Sequence, residues 1–460
     1  MQDLTKGSIT GHIMSMAVFI GMGMIFQTLY LLVDLYFVSR LGSAAIAGVS
    51  AAGVSSFLIM GASQMIAVGA MSLIAQAVGR KDHEDANLVS GQALSLSLLF
   101  SALTLLLGYT VGAMAATAVS ADAATAADAH AYLYSFLPSL ALMFPTAALG
   151  SALRGAGVVQ PTMILQTLTV ILNAILAPVL IAGWGTGHPL GVAGAGLATT
   201  IAVAVGAVGL WIIFPRVQDF IKIKANTVEP RLKQWGRIVG IGLPSAAEFV
   251  LMFVIFGVVY VVIRGFGTHA QAGFGVGMRI MQSIFLPVMA VAFAAAPVAG
   301  QNFGAGRADR VRMTFRDAAI ISTVLMFLLT LFAQWRAETL LAPFTSDAQA
   351  LAYAADYLHI ASWNFVASGV IFTCSSMFQG LGDTRPSLLA SGSRLFTFAA
   401  PALYLAGRPG LTLHTVWLMS VASVYLQMCI SLFMLRLQLR KKLKDLKSIE
   451  AAPVAAPAPG

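Results

Sequence analysis

The stretch GHIMSMAVFIGMGMIFQTLYLLVDLYFVS, Gly11 to Ser39, carries one charged side chain, Asp34, and a titratable His12 near its start. About 20 apolar residues suffice for a helix to cross the hydrocarbon core of a bilayer, so this stretch is long enough to span with tilt. A carboxylate at the centre of such a helix costs roughly 2.5–3.5 kcal/mol on insertion scales, and intramembrane acids as a rule face a wet cavity or a partner and serve transport. Asp34 is therefore the first candidate functional residue. The alternative is a carboxylate solvated at the interface, because Arg40 follows six residues on and the helix is ending.

Working outward, the whole chain repeats this character. Of 460 residues, 58% are hydrophobic and only 10% are charged, against about 25% charged in soluble domains. The composition is that of an all-α integral membrane protein. Apolar runs punctuated by Gly, Pro and charge give twelve spans, at 11–39, 45–78, 86–118, 130–153, 159–183, 190–214, 238–263, 272–303, 317–335, 350–379, 387–407 and 412–435. Met1 to Thr10 is polar and the run after it is too long for a signal-peptide core, so the first span is expected to remain in the protein. Cys374 and Cys429 both fall in apolar runs and read as small buried hydrophobes, with no disulfide or metal framework.

The net charge of +9 is distributed by side. Loops on the side of the N-terminus and the tail hold 21 Lys and Arg, and the opposite side holds 4. The positive-inside rule then puts both termini in the cytoplasm, and the expected location is a bacterial inner membrane. Nucleic acid is not an expected partner. The tail from Arg436 to Lys447 is basic and suits attraction to anionic lipid headgroups. The Ala/Pro-rich end, 451–460, is expected to be disordered.

The most highly charged connection between spans, Pro215 to Arg237, divides the chain. The expected organisation is a six-helix lobe at 1–214, a cytoplasmic linker at 215–237, a second six-helix lobe at 238–436, and a tail at 437–460. The halves are related by one constant offset of 225. It aligns Gly42 and Gly48 with Gly267 and Gly273, Gln76-Ala-Val-Gly79 with Gln301-Asn-Phe-Gly304, and Arg154-Gly-Ala-Gly-Val-Val-Gln-Pro161 with Gln379-Gly-Leu-Gly-Asp-Thr-Arg-Pro386. Repeats of six helices share one orientation, so a pseudo-twofold along the membrane normal with a cavity between two lobes is the expected plan. The oligomeric state is open on this plan, and a two-lobe monomer could work alone.

Of the eighteen acidic residues, only Asp34 and Glu248 lie well inside spans. Glu248 follows Pro244 by one turn, where a freed carbonyl and a kink suit binding or gating, although a structural pairing is the alternative. The offset pairs Asp34 with Val259 and Glu248 with Gly23, so the acids are not repeat equivalents. Asn173, mid-span, needs hydrogen-bond partners; it either orients Asp34 and coordinates a cation or bridges two helices. Thr199 and Thr200 add hydroxyls nearby or serve close packing. Arg279 and Arg394 are intramembrane cations read as structural charges in need of a counter-charge. The 21 Met and 27 Phe serve mainly packing. The seven His show no metal-ligand spacing, no phosphate-cradling Gly-x-x-x-x-Gly-Lys-Ser/Thr motif is present, and no cofactor or enzymatic nucleophile stands out. Without such a motif, energy would come from an ion gradient or from a partner.

Six segments carry a family resemblance: Leu32-Val-Asp-Leu-Tyr-Phe-Val-Ser-Arg-Leu-Gly42, Ala75-Gln-Ala-Val-Gly-Arg80, Leu153-Arg-Gly-Ala-Gly157, Gly191-Val-Ala-Gly-Ala-Gly-Leu-Ala-Thr199, Gly300-Gln-Asn-Phe-Gly-Ala-Gly306 and Gln379-Gly-Leu-Gly-Asp-Thr-Arg-Pro386. Together they resemble the multidrug and toxic compound extrusion (MATE) family over residues 10 to 436. The resemblance implies two six-helix lobes around a central cavity and export of organic cations in exchange for Na⁺ or H⁺. It makes Asp34 the match of a first-helix aspartate implicated in coupling and Asn173 the match of an asparagine of the same site, which would hold Na⁺ if Na⁺ is the ion. The family's frequent aspartate one turn after that asparagine is Ala177 here, and its early first-helix proline is absent, with Phe19 and Gly21 there. Glu248 resembles a seventh-helix glutamate of the NorM-like branch, so DinF-like and NorM-like features are mixed. A flippase for lipid-linked saccharides, from the same superfamily, is the competing reading; it calls for several cavity-facing cations, and only Arg279 and Arg394 qualify.

Overall fold

A computed structural model describes residues 3–41, 43–112, 114, 123–185, 187–408 and 410–450. Among the described residues the chain is helical nearly throughout: α1 (Ile9–Ser39), α2 (Ser43–Arg80), α3 (His83–Leu107), α4 (Ala123–Gly155), α5 (Gln160–Ala182), α6 (Gly191–Val217), α7 (Leu232–Ile263), α8 (Thr268–Gly304), α9 (Ala308–Leu341), α10 (Ala348–Ala361), α11 (Asn364–Gly380), α12 (Arg385–Leu405) and α13 (Leu413–Glu450). Eleven helices are long and apolar enough to cross a membrane, and α10 with α11, bent by 56°, make up a twelfth span in two pieces. The protein is thus an all-helical, many-span membrane protein. The segment 451–460 lies outside the described residues.

The chain forms two compact units. Ser15–Val78 and Asp82–Val250 belong to the first; Leu4–Met14, Gly79–Lys81 and the residues from Leu251 on belong to the second. In the first unit, Ile66, Ile74, Phe144 and Leu153 form a buried cluster that also takes in Ile238 and Ala246 of α7. Backbones of α2 and α7 meet where Gly69 faces the Ile238 carbonyl and Gly242 faces the Met65 carbonyl, and a Cβ at either glycine would overlap that oxygen. Small residues permit such approaches where no water is available to drive helices together. In the second unit, Phe274, Tyr357, Phe365 and Trp417 anchor the largest cluster, with Phe274 stacked on Trp417 at 5.6 Å.

The repeat is visible in the helix ends. Gly157 and Gly382 both adopt positive φ, 78° and 73°. Each closes its helix with the same pair of backbone bonds: Gly157 N to Arg154 O and Val158 N to Leu153 O, Gly382 N to Gln379 O and Asp383 N to Phe378 O. This is the glycine cap expected where a left-handed residue ends a helix. Pro161 and Pro386 then open the next helices within their first turn. Lys81 and Gly306, also 225 apart, share positive φ of 60° and 74°; among the described residues Lys81 alone does so without being glycine.

The break in the twelfth span occurs at Ser362–Trp363, where there is neither Pro nor Gly. Neighbouring helices accept the change. Gln334 of α9 donates to the His359 carbonyl at 2.6 Å and to Ser362 Oγ at 2.8 Å, Thr330 donates to the Ser362 carbonyl at 3.1 Å, and Tyr425 of α13 donates to the Trp363 carbonyl at 3.0 Å. Backbone carbonyls released inside a membrane need such partners.

The connection from α6 to α7 is docked on α3. Phe220 stacks on the His83 ring at 3.7 Å, and Lys222 N donates to Asn87 Oδ1 at 2.6 Å. The fully buried Gln92 holds three backbone groups: its Nε2 donates to the Thr227 and Glu229 carbonyls at 2.7 and 2.6 Å, and its Oε1 accepts from Arg231 N at 2.8 Å. Arg237 closes the far end with a two-pronged pair to Asp85, at 2.8 and 3.2 Å. The chain start is held as well, within the second unit. Leu4 is fully buried, its N–H donates to Gln301 Oε1 at 3.0 Å, and its carbonyl accepts from Asn302 Nδ2 and Arg310. Arg307 and Arg310 donate to the carbonyls of Thr5 and Gly7, both at 3.1 Å.

Candidate transport site

Polar groups inside the first unit converge on α5 and α6. Asn173 is fully buried and Thr199 is 2% exposed. Asn173 Nδ2 donates to Thr199 Oγ1 at 3.4 Å, bridging the two helices, while Asn173 Oδ1 is buried without a hydrogen-bond partner among the described residues. Leaving a buried polar atom unmatched costs about 1–3 kcal/mol, and an atom retained at that cost is an acceptor available to a proton donor or a cation. Ala177, one turn on, is fully buried and offers no oxygen of its own side chain. Thr200 is committed elsewhere: its hydroxyl donates to the Ser135 carbonyl at 2.6 Å.

The acids occupy α1 and α7. Asp34 lies on α1 and its side chain lies outside the described residues. Two residues on, Tyr36 engages Arg40, whose guanidinium sits 4.6 Å from the ring centroid and donates to the phenol oxygen. Glu248 is half-buried, engaged in an interaction, and lies in the part of α7 that belongs to the first unit. Pro244 lies inside α7, four residues before it. Asp34, Asn173, Thr199 and Glu248 therefore all belong to one compact unit, although Glu248 follows the central connection in sequence.

The repeat makes this asymmetry explicit. At the offset of 225, Asp34, Asn173 and Thr199 correspond to Val259, Phe398 and Val424. Those three are 6%, 0% and 5% exposed. The second unit fills with hydrocarbon the positions that the first fills with oxygen. Its own intramembrane charges differ in kind. Arg279 is exposed, and Arg394, half-buried on α12, ends an α-helical segment just before a π-helical turn at Leu395–Ala399. Among the described residues its Nε is buried without a hydrogen-bond partner, and its guanidinium lies 5.8 Å from the Phe398 ring. Among the described residues no carboxylate pairs with it. π-helical turns recur at functional sites. Of the two cysteines, Cys374 is buried, whereas Cys429 is exposed; that corrects the expectation of burial for Cys429, since an apolar run in a membrane helix has a face turned outward as well as one turned in.

The model of the MatE family matches residues 20–179 and again residues 244–405, two copies in the spacing of the internal repeat. The chain belongs to the MatE family. Among relatives, it is 25% identical over 424 residues to the multidrug export protein MepA of Staphylococcus saprophyticus, covering 91% of each chain. It is 24% identical over 408 residues to an FAD transporter of Shewanella oneidensis, covering 86% of this chain and 89% of that one. Among solved structures, an outward-facing multidrug resistance MATE family transporter superposes with a TM-score of 0.87 at 23% identity, over 96% of this chain and 98% of that one. Membership makes this many-span protein a member of a family of membrane transporters.

Sequence reasoning picked out Asn173 and Thr199 by their position in apolar runs, and the geometry brings them together. It missed Gln92, the clamp on Leu4 and the side chains that receive the broken span. Gln92 stands in an apolar run as Asn173 does, and the same question, where an intramembrane amide finds partners, would have found it.

Proposed function

We propose that this MatE transporter is a secondary active antiporter that exports amphipathic organic cations across a bacterial inner membrane in exchange for H⁺ or Na⁺, with both termini cytoplasmic. The observation that carries the reading is the buried Asn173 Oδ1, unmatched among the described residues, on an amide whose Nδ2 donates to Thr199 Oγ1, in the unit that also contains Asp34 and Glu248. Two neutral oxygens and a carboxylate suit Na⁺, a hard cation that favours oxygen ligands, and equally suit a protonated carboxyl donating to the amide oxygen. Either coupling ion neutralises Asp34 and removes a binding site for a cationic substrate. Ion and substrate then compete, and competition between two states of access gives exchange. The test is efflux of a fluorescent organic cation from proteoliposomes under a pH gradient or a Na⁺ gradient. Gradient-driven efflux should be present in wild type and lost in Asp34→Asn and Asn173→Leu, while both variants insert normally. Full efflux by Asp34→Asn would falsify the assignment.

A second substrate class has its own observation. Arg394 has no anionic partner among the described residues, and a relative is an FAD transporter, so an anionic nucleotide is the alternative cargo. FAD efflux from the same liposomes, abolished by Arg394→Gln and indifferent to the organic cation, would move the substrate assignment to it.

A further inference from the structure

Where α13 leaves its apolar run, a cavity of about 480 Å³ opens between it and α9. Arg312 of α9 and Arg436 and Arg440 of α13 line it together with apolar side chains, chiefly Phe315, Leu432 and Leu439. Arg436 and Arg440 stand one helical turn apart, so their like charges are stacked on one face, an arrangement that destabilises a helix unless an anion neutralises it. Neither has an ion-pair partner among the described residues. Among the described residues Arg312 has only Asp309, 3.7 Å away and 87% exposed. Beside the cavity Phe433 and Leu437 are 63% and 49% exposed, the outward face of a helix at the level where hydrocarbon gives way to charge. The apolar wall extends back along α13 towards the membrane-spanning part, and the cations stand at its polar end.

A free anion would need the guanidinium groups and none of the wall; an apolar ligand would need the wall and none of the charge. We propose that this cavity binds an anionic phospholipid, its phosphodiester held by Arg312, Arg436 and Arg440 and an acyl chain laid along Phe315, Leu432 and Leu439. Planar guanidinium groups match phosphate oxygens two at a time, which a lysine cannot do. The site is distinct from the polar cluster of the first unit and independent of which substrate the transporter carries. It narrows the general attraction of a basic tail for anionic headgroups to one cavity with three named ligands.

The experiment is lipid binding to the purified full-length protein in detergent, read by native mass spectrometry with dioleoylphosphatidylglycerol and dioleoylphosphatidylcholine. Phosphatidylglycerol should bind at least tenfold more tightly than phosphatidylcholine. Each single Arg→Gln change should weaken it about fivefold, and the triple change R312Q/R436Q/R440Q roughly a hundredfold. The exposed Lys441 and Lys444 on the same helix lie off the cavity, so K441Q/K444Q should leave affinity within twofold. Equal binding of the two lipids overturns the proposal. So does a loss in K441Q/K444Q as large as in the arginine variants, which would mean diffuse attraction, and so does full displacement of the lipid by millimolar inorganic phosphate, which would make it a free-anion site. Should the triple variant fail to fold, R440Q alone, checked for an unchanged thermal midpoint without lipid, decides the question in the same way.

Discussion

Replacing Gln92 by Met tests whether the connection between α6 and α7 is clamped to α3 or merely lies near it. Met preserves the length and most of the volume of the side chain but removes three hydrogen bonds, to the Thr227 and Glu229 carbonyls and from Arg231 N. At about 1 kcal/mol net for each neutral bond, the local clamp loses about 3 kcal/mol. The population of the undocked connection then rises roughly a hundredfold, since each 1.4 kcal/mol is about tenfold. Lys222, Lys224 and Arg231 place trypsin sites in this segment. Cleavage of a transiently opened segment follows its equilibrium population when reclosing is fast, so the rate of cutting there should rise by about the same hundredfold. The global unfolding midpoint should move little, because the remaining contacts of α3 with α4 are untouched. A rise in cutting of less than threefold would show that His83, Asn87 and Asp85 hold the segment without Gln92, and the clamp would have to be reassigned to them.

Two further outcomes follow from local geometry. Leu4→Ala removes a fully buried side chain from the start of the chain; with about 2–5 kcal/mol lost at that site, hydrogen exchange of the amides from Leu4 to His12 should accelerate at least thirtyfold while those of α9 stay protected, and unchanged exchange at Leu4 to His12 would refute the clamp. Acid should selectively weaken the cap of α10. His269, 2.5 Å from the carboxylate, and then the Ala350 and Gln349 backbone N–H groups hold Asp347 below the usual carboxylate range. A carboxyl depressed in the folded state stabilises fully above its unfolded value of about 4 and loses that contribution as pH falls through the lower folded value. The thermal midpoint of wild type should therefore exceed that of Asp347→Asn, which retains a capping side chain, at pH 7 and converge on it towards pH 3. A difference that stays constant over that interval would mean that the charge plays no part.

Much of the architecture was legible because a membrane imposes strict local requirements. An apolar run of sufficient length must be a helix, since no water is present to satisfy its backbone, and that reasoning located the spans, among them the one that structure divides into α10 and α11. The offset of 225 was legible because glycine caps depend on one residue's φ: Gly157 and Gly382, each with a proline four residues on, mark the same turn in each half. Asn173 and Thr199 could be nominated from polarity alone.

Which groups meet was a different matter. Nothing near Ser362–Trp363 signals a bend in sequence, because the bend rests on donors supplied by Gln334, Thr330 and Tyr425, which lie between 25 and 62 residues away. The partners of Gln92 were hidden for the same reason, lying 135 to 139 residues on. The association of Glu248 with the first compact unit, and the hydrocarbon that Val259, Phe398 and Val424 place at the positions equivalent to the polar site, combine chain separation with packing. By itself the sequence determined a helical, duplicated membrane protein with few intramembrane polar groups, since burial in lipid and turn chemistry act over a few residues. Only the tertiary structure decided which of those polar groups are satisfied and which, like Asn173 Oδ1, are left open, because satisfaction depends on what distant helices bring within hydrogen-bond reach.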